Sequence, residues 1–165
     1  MVYEALIRNL EQSCQICQEL KVYAEKKKDV VIHNNLDELN RIVYAENKLV
    51  QQADALEQER QQLAVKYMQH SGFMPVGQIS MSVIIGVTHD AQRKQELMKL
   101  QKQLSELVND LKERNDLNQQ LIQQSLDYLQ FHLELLVEDG GDAVTYQHPA
   151  AAKAKLGYSS FDAKV

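Results

Sequence analysis

Two cysteines three residues apart, Cys14 and Cys17, form the pattern most suggestive of metal or redox chemistry. A structural zinc site needs four ligands, and no second cysteine pair or nearby histidine pair accompanies this one. A thioredoxin-type site needs a βαβ context with the first cysteine at a helix start. This pair lies inside a helical pattern that puts both side chains on one apolar face. We therefore expect both cysteines to pack in the core.

The five histidines offer no catalytic pattern either. Four of them (His33, His70, His89 and His148) fall near expected helix ends or in loops. Di-iron bundles need Glu-x-x-His pairs, which the sequence lacks, and it also lacks HExxH, P-loop and GxGxxG motifs. An enzyme would need a convergent set of polar groups, and we find none. We expect no enzyme activity, no bound metal and no cofactor.

Charge and hydropathy exclude further classes of partner. The chain has 18 basic and 23 acidic residues, and its only basic run is Lys26-Lys27-Lys28, so we expect no nucleic-acid binding. No stretch approaches 18 apolar residues, and the first ten residues do not resemble a secretory signal. We expect a cytoplasmic protein that does not insert into a membrane.

Composition and periodicity predict an all-α fold. The chain has 21 Leu and 20 Gln against 6 Gly and 2 Pro, which is typical of long helices. Helices are predicted over about 2–33, 36–70 and 90–138. Asn34 suits the left-handed end of the first helix, and Asn35 with Glu38 forms a capping box for the second. Stripes of mainly apolar residues recur at steps of three and four, with a few polar positions among them. Their members are Tyr3, Leu6, Leu10, Cys14, Cys17, Leu20 and Ala24 in the first helix; Leu39, Ile42, Glu46, Leu49, Ala53, Leu56, Arg60, Leu63 and Tyr67 in the second; and Leu97, Leu100, Leu104, Leu107, Leu111, then Asn118, Leu121, Ile122, Ser125, Leu129, Leu133 and Leu136 in the third.

Two charged residues, Glu46 and Arg60, interrupt the apolar stripe of the second helix. We interpret them as polar positions that fix register by pairing across helices. They are too far apart, on different turns, to make a catalytic pair.

The crossover over residues 71–89 is apolar and contains Gly72, Pro75, Gly77 and Gly86. Its branched residues fit a short helix or an extended segment, and we favour the helix. Thr88 is the predicted N-cap of the long helix.

The long helix exceeds its neighbours in length, at roughly 70 Å against about 50 Å for each of the others. Its uncovered end must bend back, contact the tail, or engage a second chain, as in a homodimer. Gly140 and Gly141 stop the helix. The domain prediction is a helical bundle over 1–138 and a flexible partner-binding tail over 139–165. The tail is too short to form a core of its own, but it contains isolated large apolar residues. This pattern is typical of a segment that folds when it binds a partner.

Two function classes remain: a coiled-coil spacer or structural adaptor, and an interaction module for a partner helix. Unequal helix lengths, an apolar crossover and an anchored tail favour the interaction module.

Two blocks of the sequence resemble the FlgN family of flagellar type III export chaperones. The first is NNLDELNRIVYAENKLVQQADALEQERQQL, residues 34–63, and the second is ERNDLNQQLIQQSLDYLQFHLELL, residues 113–136. Within the second block, Asn115, Asn118 and Leu121 match the family's N-x-x-N-x-x-L pattern, and the closing FDAKV also looks like endings seen in the family.

The resemblance implies an antiparallel three-helix, spectrin-like bundle. It implies binding of the C-terminal helical segments of the hook-associated proteins FlgK and FlgL, which keeps them from assembling early, and delivery to the flagellar export gate or ATPase complex. Tyr146 is the position most like the family's gate-docking tyrosine. A chaperone for a different type III substrate would share the shape. We expect the substrate surface to consist of seven apolar residues: Leu126, Leu129, Leu133, Leu136, Leu156, Tyr158 and Phe161.

Overall fold

The computed structural model describes residues 1–139, which contain four helices and no strand. The helices are α1 (Val2–Ile32), α2 (Leu36–His70), α3 (Met81–Val87) and α4 (Ala91–Asp139). The all-α prediction is confirmed over this part of the chain. The resemblance implies three helices, and the structure has these three long helices and, in addition, the short helix α3. None of the four is long and apolar enough to cross a bilayer.

The break between α1 and α2 has the predicted left-handed residue and N-cap, but the Asn35 N–H, which a capping box would pair with Glu38, donates to the carbonyl of Val30 at 3.1 Å. Asn34 adopts a left-handed conformation with φ of 52°, which an asparagine tolerates better than most residues. Asn35 is the N-cap of α2, and its side-chain oxygen accepts a hydrogen bond from the backbone N–H of Glu38 at 3.2 Å. The three residues between α1 and α2 therefore reverse the direction of the chain.

The prediction that Thr88 caps α4 is wrong. Asp90 holds that position, because its Oδ1 accepts from the backbone N–H of Arg93 at 2.9 Å. Thr88 instead ends α3: its buried hydroxyl donates to the carbonyl of Ile84 at 2.7 Å and lies 2.9 Å from the hydroxyl of Tyr67. Asp is a better N-cap than Thr, and it lies directly before the helix.

The best-packed region joins the N-terminal turns of α1, the C-terminal turns of α2, α3 and the start of α4. Four of its leucine and isoleucine side chains are fully buried: Leu6, Leu10, Ile84 and Leu97. The whole cluster consists of Tyr3, Leu6, Ile7, Leu10, Ala64, Met68, Ile79, Ile84, Ile85 and Leu97. The apolar crossover is thus part of the core, where Arg60 holds it through a hydrogen bond to the carbonyl of Ile79 at 3.1 Å.

Helix α1 packs antiparallel to α2. Asn9, near the start of α1, donates from Nδ2 to the carbonyl of Leu56 and to Glu59 Oε2, each at 3.0 Å. Near the other end, Lys27 Nζ lies 2.5 Å from Glu46 Oε2, and both side chains are largely buried. Glu46 therefore pairs across helices as predicted. Arg60, in contrast, pairs with Glu57 of its own helix at 2.7 Å, and this bond holds the pKa of the Glu57 carboxyl below its usual value.

The chain divides into two compact units, Met1–Leu126 and a second that begins at Asp127. Within the second unit the structure describes α4 as far as Asp139. The predicted tail, 139–165, lies beyond the described residues except for its first residue, so its role as a flexible segment stays a prediction.

Candidate functional site

Within the first unit, side-chain contacts set α4 in a defined register against α1. The Tyr3 hydroxyl hydrogen-bonds the Glu96 carboxylate, and the Arg93 guanidinium lies 4.7 Å from the centre of the Tyr3 ring. Further along, Lys21 Nζ lies 2.5 Å from Asp110 Oδ2. Residue numbers rise together along both helices, so α1 and α4 run in the same direction. Burial and then the bond to Glu96 raise the pKa of the Tyr3 phenol well above its usual value, which keeps its proton in place as donor.

The Asn-x-x-Asn motif contributes to this register. Asn118 is 3% exposed, and its Nδ2 donates to the carbonyl of Ala24 in α1 at 2.7 Å. Asn115 is exposed, and Leu121 is half-buried. Asn118, the second asparagine of the motif, therefore links α4 to α1 within the first unit, a contact called here the clasp.

Replacing Asn118 with alanine is expected to lower the free energy of unfolding by about 1–3 kcal/mol, because a buried hydrogen bond is lost and a small cavity is left. The measurement is urea denaturation followed by circular dichroism. Asn115→Ala is the matched control, since this side chain is exposed, and should change the value by less than about 0.5 kcal/mol. Equal losses in the two variants would contradict the clasp.

The described side chains from Leu126 to Leu136 are all exposed, and most of them are apolar. The four leucines predicted for the substrate surface are each more than half exposed: Leu126 54%, Leu129 51%, Leu133 62% and Leu136 69%. The apolar stripe of α4 is buried or half-buried from Leu97 to Leu121, and it continues beyond Leu126 with exposed side chains. An apolar stretch of this extent on a helix is a typical protein-binding surface.

Three further apolar residues belong to this surface and were missing from the predicted set. Tyr128 is 63% exposed, Phe131 57% and Leu135 43%. The rings of Tyr128 and Phe131 both contact the His132 ring edge-on, with ring centres 4.2 and 5.9 Å apart. The sequence contains a sign of this wider surface. Six of the ten residues from 127 to 136 are apolar, which is more than a single apolar stripe of a helix requires.

The remaining predicted site residues lie outside the described residues. They are the tail anchors Leu156, Tyr158 and Phe161, and the gate-docking candidate Tyr146. Their part in the site stays a prediction.

The two cysteines lie in α1; Cys14 is buried as predicted, whereas Cys17 is only half-buried. Burial raises the pKa of both thiols. Among the described residues, no group of three or more His, Cys, Asp and Glu side chains could hold a metal ion. Cys14, which is 4% exposed, belongs to the packing of α1.

Both thiols should react slowly in the native protein, because the reactive thiolate is disfavoured and Cys14 is only 4% exposed. At pH 8 we expect labelling by an aromatic disulfide reagent at least about tenfold slower than in guanidinium. A raised thiol pKa also means that folding favours the protonated form. Its contribution to stability is complete at pH 7 and falls as pH rises past about 8.5. Equal labelling rates in native and unfolded protein would contradict this picture.

Comparison with known proteins places the chain in a family. The FlgN family model, described as FlgN protein, matches residues 1–154. The chain is also similar to the uncharacterized protein YvyG of Bacillus subtilis (strain 168), with 26% identity over 168 residues and 99% of each chain covered. No solved structure matches it. The family match extends over nearly the whole chain, including the clasp and the exposed end of α4, and FlgN proteins are chaperones rather than enzymes. The chain therefore belongs to the FlgN family of flagellar chaperones.

Proposed function

We propose that this protein is a cytoplasmic flagellar type III export chaperone that binds the hook-associated proteins FlgK and FlgL, prevents their early assembly and delivers them to the export gate. Family membership supports the chaperone class. The observation that carries the substrate-binding part is the set of exposed apolar side chains from Leu126 to Leu136.

The physical mechanism is helix recognition. Proteins that polymerise through amphipathic terminal helices assemble early unless the apolar face of those helices is covered. An open apolar helix such as the end of α4 can cover such a face by packing along it. We include Leu156, Tyr158 and Phe161 in the surface, because anchors that order only on binding give the moderate affinity that a releasing chaperone needs.

The same proposal gives Tyr146 the role of docking the loaded chaperone to the export gate or ATPase complex. It also assigns the first unit the antiparallel three-helix, spectrin-like arrangement of the family, in which α1, α2 and α4 are the long helices. The directions of α1, α2 and α4 in the contacts described above support this arrangement.

Co-purification from a flagellated cell that expresses the tagged chain tests the proposal. Mass spectrometry should identify FlgK or FlgL as the main bound protein, in one-to-one complexes free of higher assemblies. Recovery of a different type III substrate would keep the chaperone class and replace the partner. Recovery of no export substrate would favour the structural adaptor.

A further inference from the structure

The segment Asp127–Leu136 of α4, called here the distal segment, has three distinct sides. At about 100° per residue, nine of its ten residues sort into three groups around the helix axis, and His132 lies between the two apolar groups. The aromatic flank is Tyr128, Phe131 and Leu135; the leucine flank is Leu129, Leu133 and Leu136; the polar strip is Asp127, Gln130 and Glu134. All six flank residues are exposed, from 43% to 69%. The distal segment therefore presents two apolar flanks to solvent, one on each side of His132.

The two flanks are too far apart for a single partner helix. Their centres lie about 130° apart around the axis, and together they span about 200°. A helix that packs against one neighbour buries an apolar stripe of roughly 100°. A single docked helix would cover one flank and leave the other in water. The apolar pattern of the distal segment therefore indicates that two partner helices pack against it.

The charge of this region indicates the kind of neighbour. Between Asn115 and Ala152 the chain has six acidic residues (Asp116, Asp127, Glu134, Glu138, Asp139 and Asp142) and no lysine or arginine, although it has 18 basic residues in all. In the polar strip, Gln130 Nε2 donates to Glu134 Oε1 at 3.1 Å, which keeps this carboxylate within the strip between the flanks. A partner with lysine or arginine beside its apolar stripe would match these acidic edges.

We propose that the distal segment binds two amphipathic helical segments of one substrate chain, one on each flank, and that these segments have basic residues along the edges next to the polar strip. This inference rests on the proposed function, because it specifies the substrate that the same surface accepts. A second copy of the chaperone is the less suitable neighbour, because it would bring the same acidic, lysine-free surface against the first.

Site-specific photocrosslinking in the full chain tests the two-segment arrangement, with purified FlgK as the probe. A benzophenone amino acid replaces Phe131 in one variant and Leu133 in another, and peptide mass spectrometry maps the crosslinks. We expect the two positions to label two substrate segments that do not overlap in sequence. The same substitution at Gln130, in the polar strip, is the control and should label FlgK at least about fivefold less, because crosslinking requires close contact.

Three results would overturn the two-segment proposal and leave the proposed function standing: labelling of one and the same FlgK segment from both flanks, labelling from one flank alone, or labelling of a second copy of the chaperone from either flank. If FlgK does not bind the unmodified chain at all, the proposed function itself fails for this substrate, and the inference fails with it.

A charge series tests the basic edges separately. Glu134→Lys should weaken FlgK binding about tenfold at 50 mM salt, with Glu134→Gln in between, and the differences should shrink at 1 M salt as the charges are screened. Unchanged or tighter binding by Glu134→Lys would contradict the charge assignment. The thermal midpoint of each variant confirms that folding is unaffected, since the side chain lies on an exposed strip.

Discussion

Replacing Leu129 and Leu133 together with serine is expected to weaken binding of FlgK or FlgL by about 100-fold or more. Both side chains are more than half exposed in the free protein and would become buried in the complex. Each buried leucine contributes about 1.5–3 kcal/mol, and 1.4 kcal/mol corresponds to a tenfold change in Kd. Because neither side chain is buried in the described structure, the free energy of unfolding should change by no more than about 0.5 kcal/mol. Isothermal titration calorimetry and urea denaturation measure the two quantities.

The matched control is a double substitution of two other exposed apolar residues of α4, Met98→Ser with Val108→Ser. These side chains are 53% and 47% exposed, close to the values for the two leucines, but they lie well before the distal segment. This variant should bind the substrate with unchanged affinity. Equal losses in the two double variants would show that exposed apolar area anywhere on α4 is sufficient, and would contradict a defined substrate surface.

Leu97→Ala is expected to cause the largest loss of stability among single substitutions in α4. Leu97 is fully buried and belongs to the cluster that contains Leu6, Leu10 and Ile84. Truncating a buried leucine costs about 2–5 kcal/mol, which is a large part of the 5–15 kcal/mol typical of a whole domain. The measurement is the urea dependence of the circular dichroism signal, with the slope of the transition checked for two-state behaviour.

The neighbouring Met98→Ala variant is the control for helix propensity, since Met98 is exposed and lies in the same turn. It should change the free energy of unfolding by less than about 0.5 kcal/mol. If Leu97→Ala destabilised the protein no more than this control, the start of α4 would not be packed as the structure shows.

The helices were predictable because they are long and strongly periodic. The bounds of α2 agree with the prediction, and those of α1 and α4 differ from it by one residue. The turn at Asn34 and Asn35 was also predictable, because the left-handed conformation and the N-cap each favour asparagine for a local reason. Thr88 is a position that local N-cap preferences did not predict correctly. Its hydroxyl bonds the carbonyl of Ile84 four residues earlier and contacts Tyr67, which is distant in the sequence, so local rules for N-caps could not assign it.

The candidate site was predictable in part. A stripe continuing beyond the shorter helices predicted the exposure of Leu129 and Leu133, since it had no neighbour to cover it. The aromatic flank was not predicted. Steps of three and four residues trace a single stripe along a helix, and apolar residues outside that stripe are not placed on any side of the helix. The role of Asn118 was also beyond the sequence, because a buried asparagine differs from an exposed one only through its tertiary contact, here with Ala24.

The most direct test compares the intact chain with a chain that ends at Asp139, by titration calorimetry against purified FlgK and FlgL. The proposed substrate surface combines the end of α4 with tail anchors such as Phe161, so the shortened chain should bind at least about tenfold more weakly while keeping its helical signal. Equal affinity of the two chains would contradict the role of the tail. No binding by the intact chain would contradict the assignment of FlgK and FlgL as its substrates.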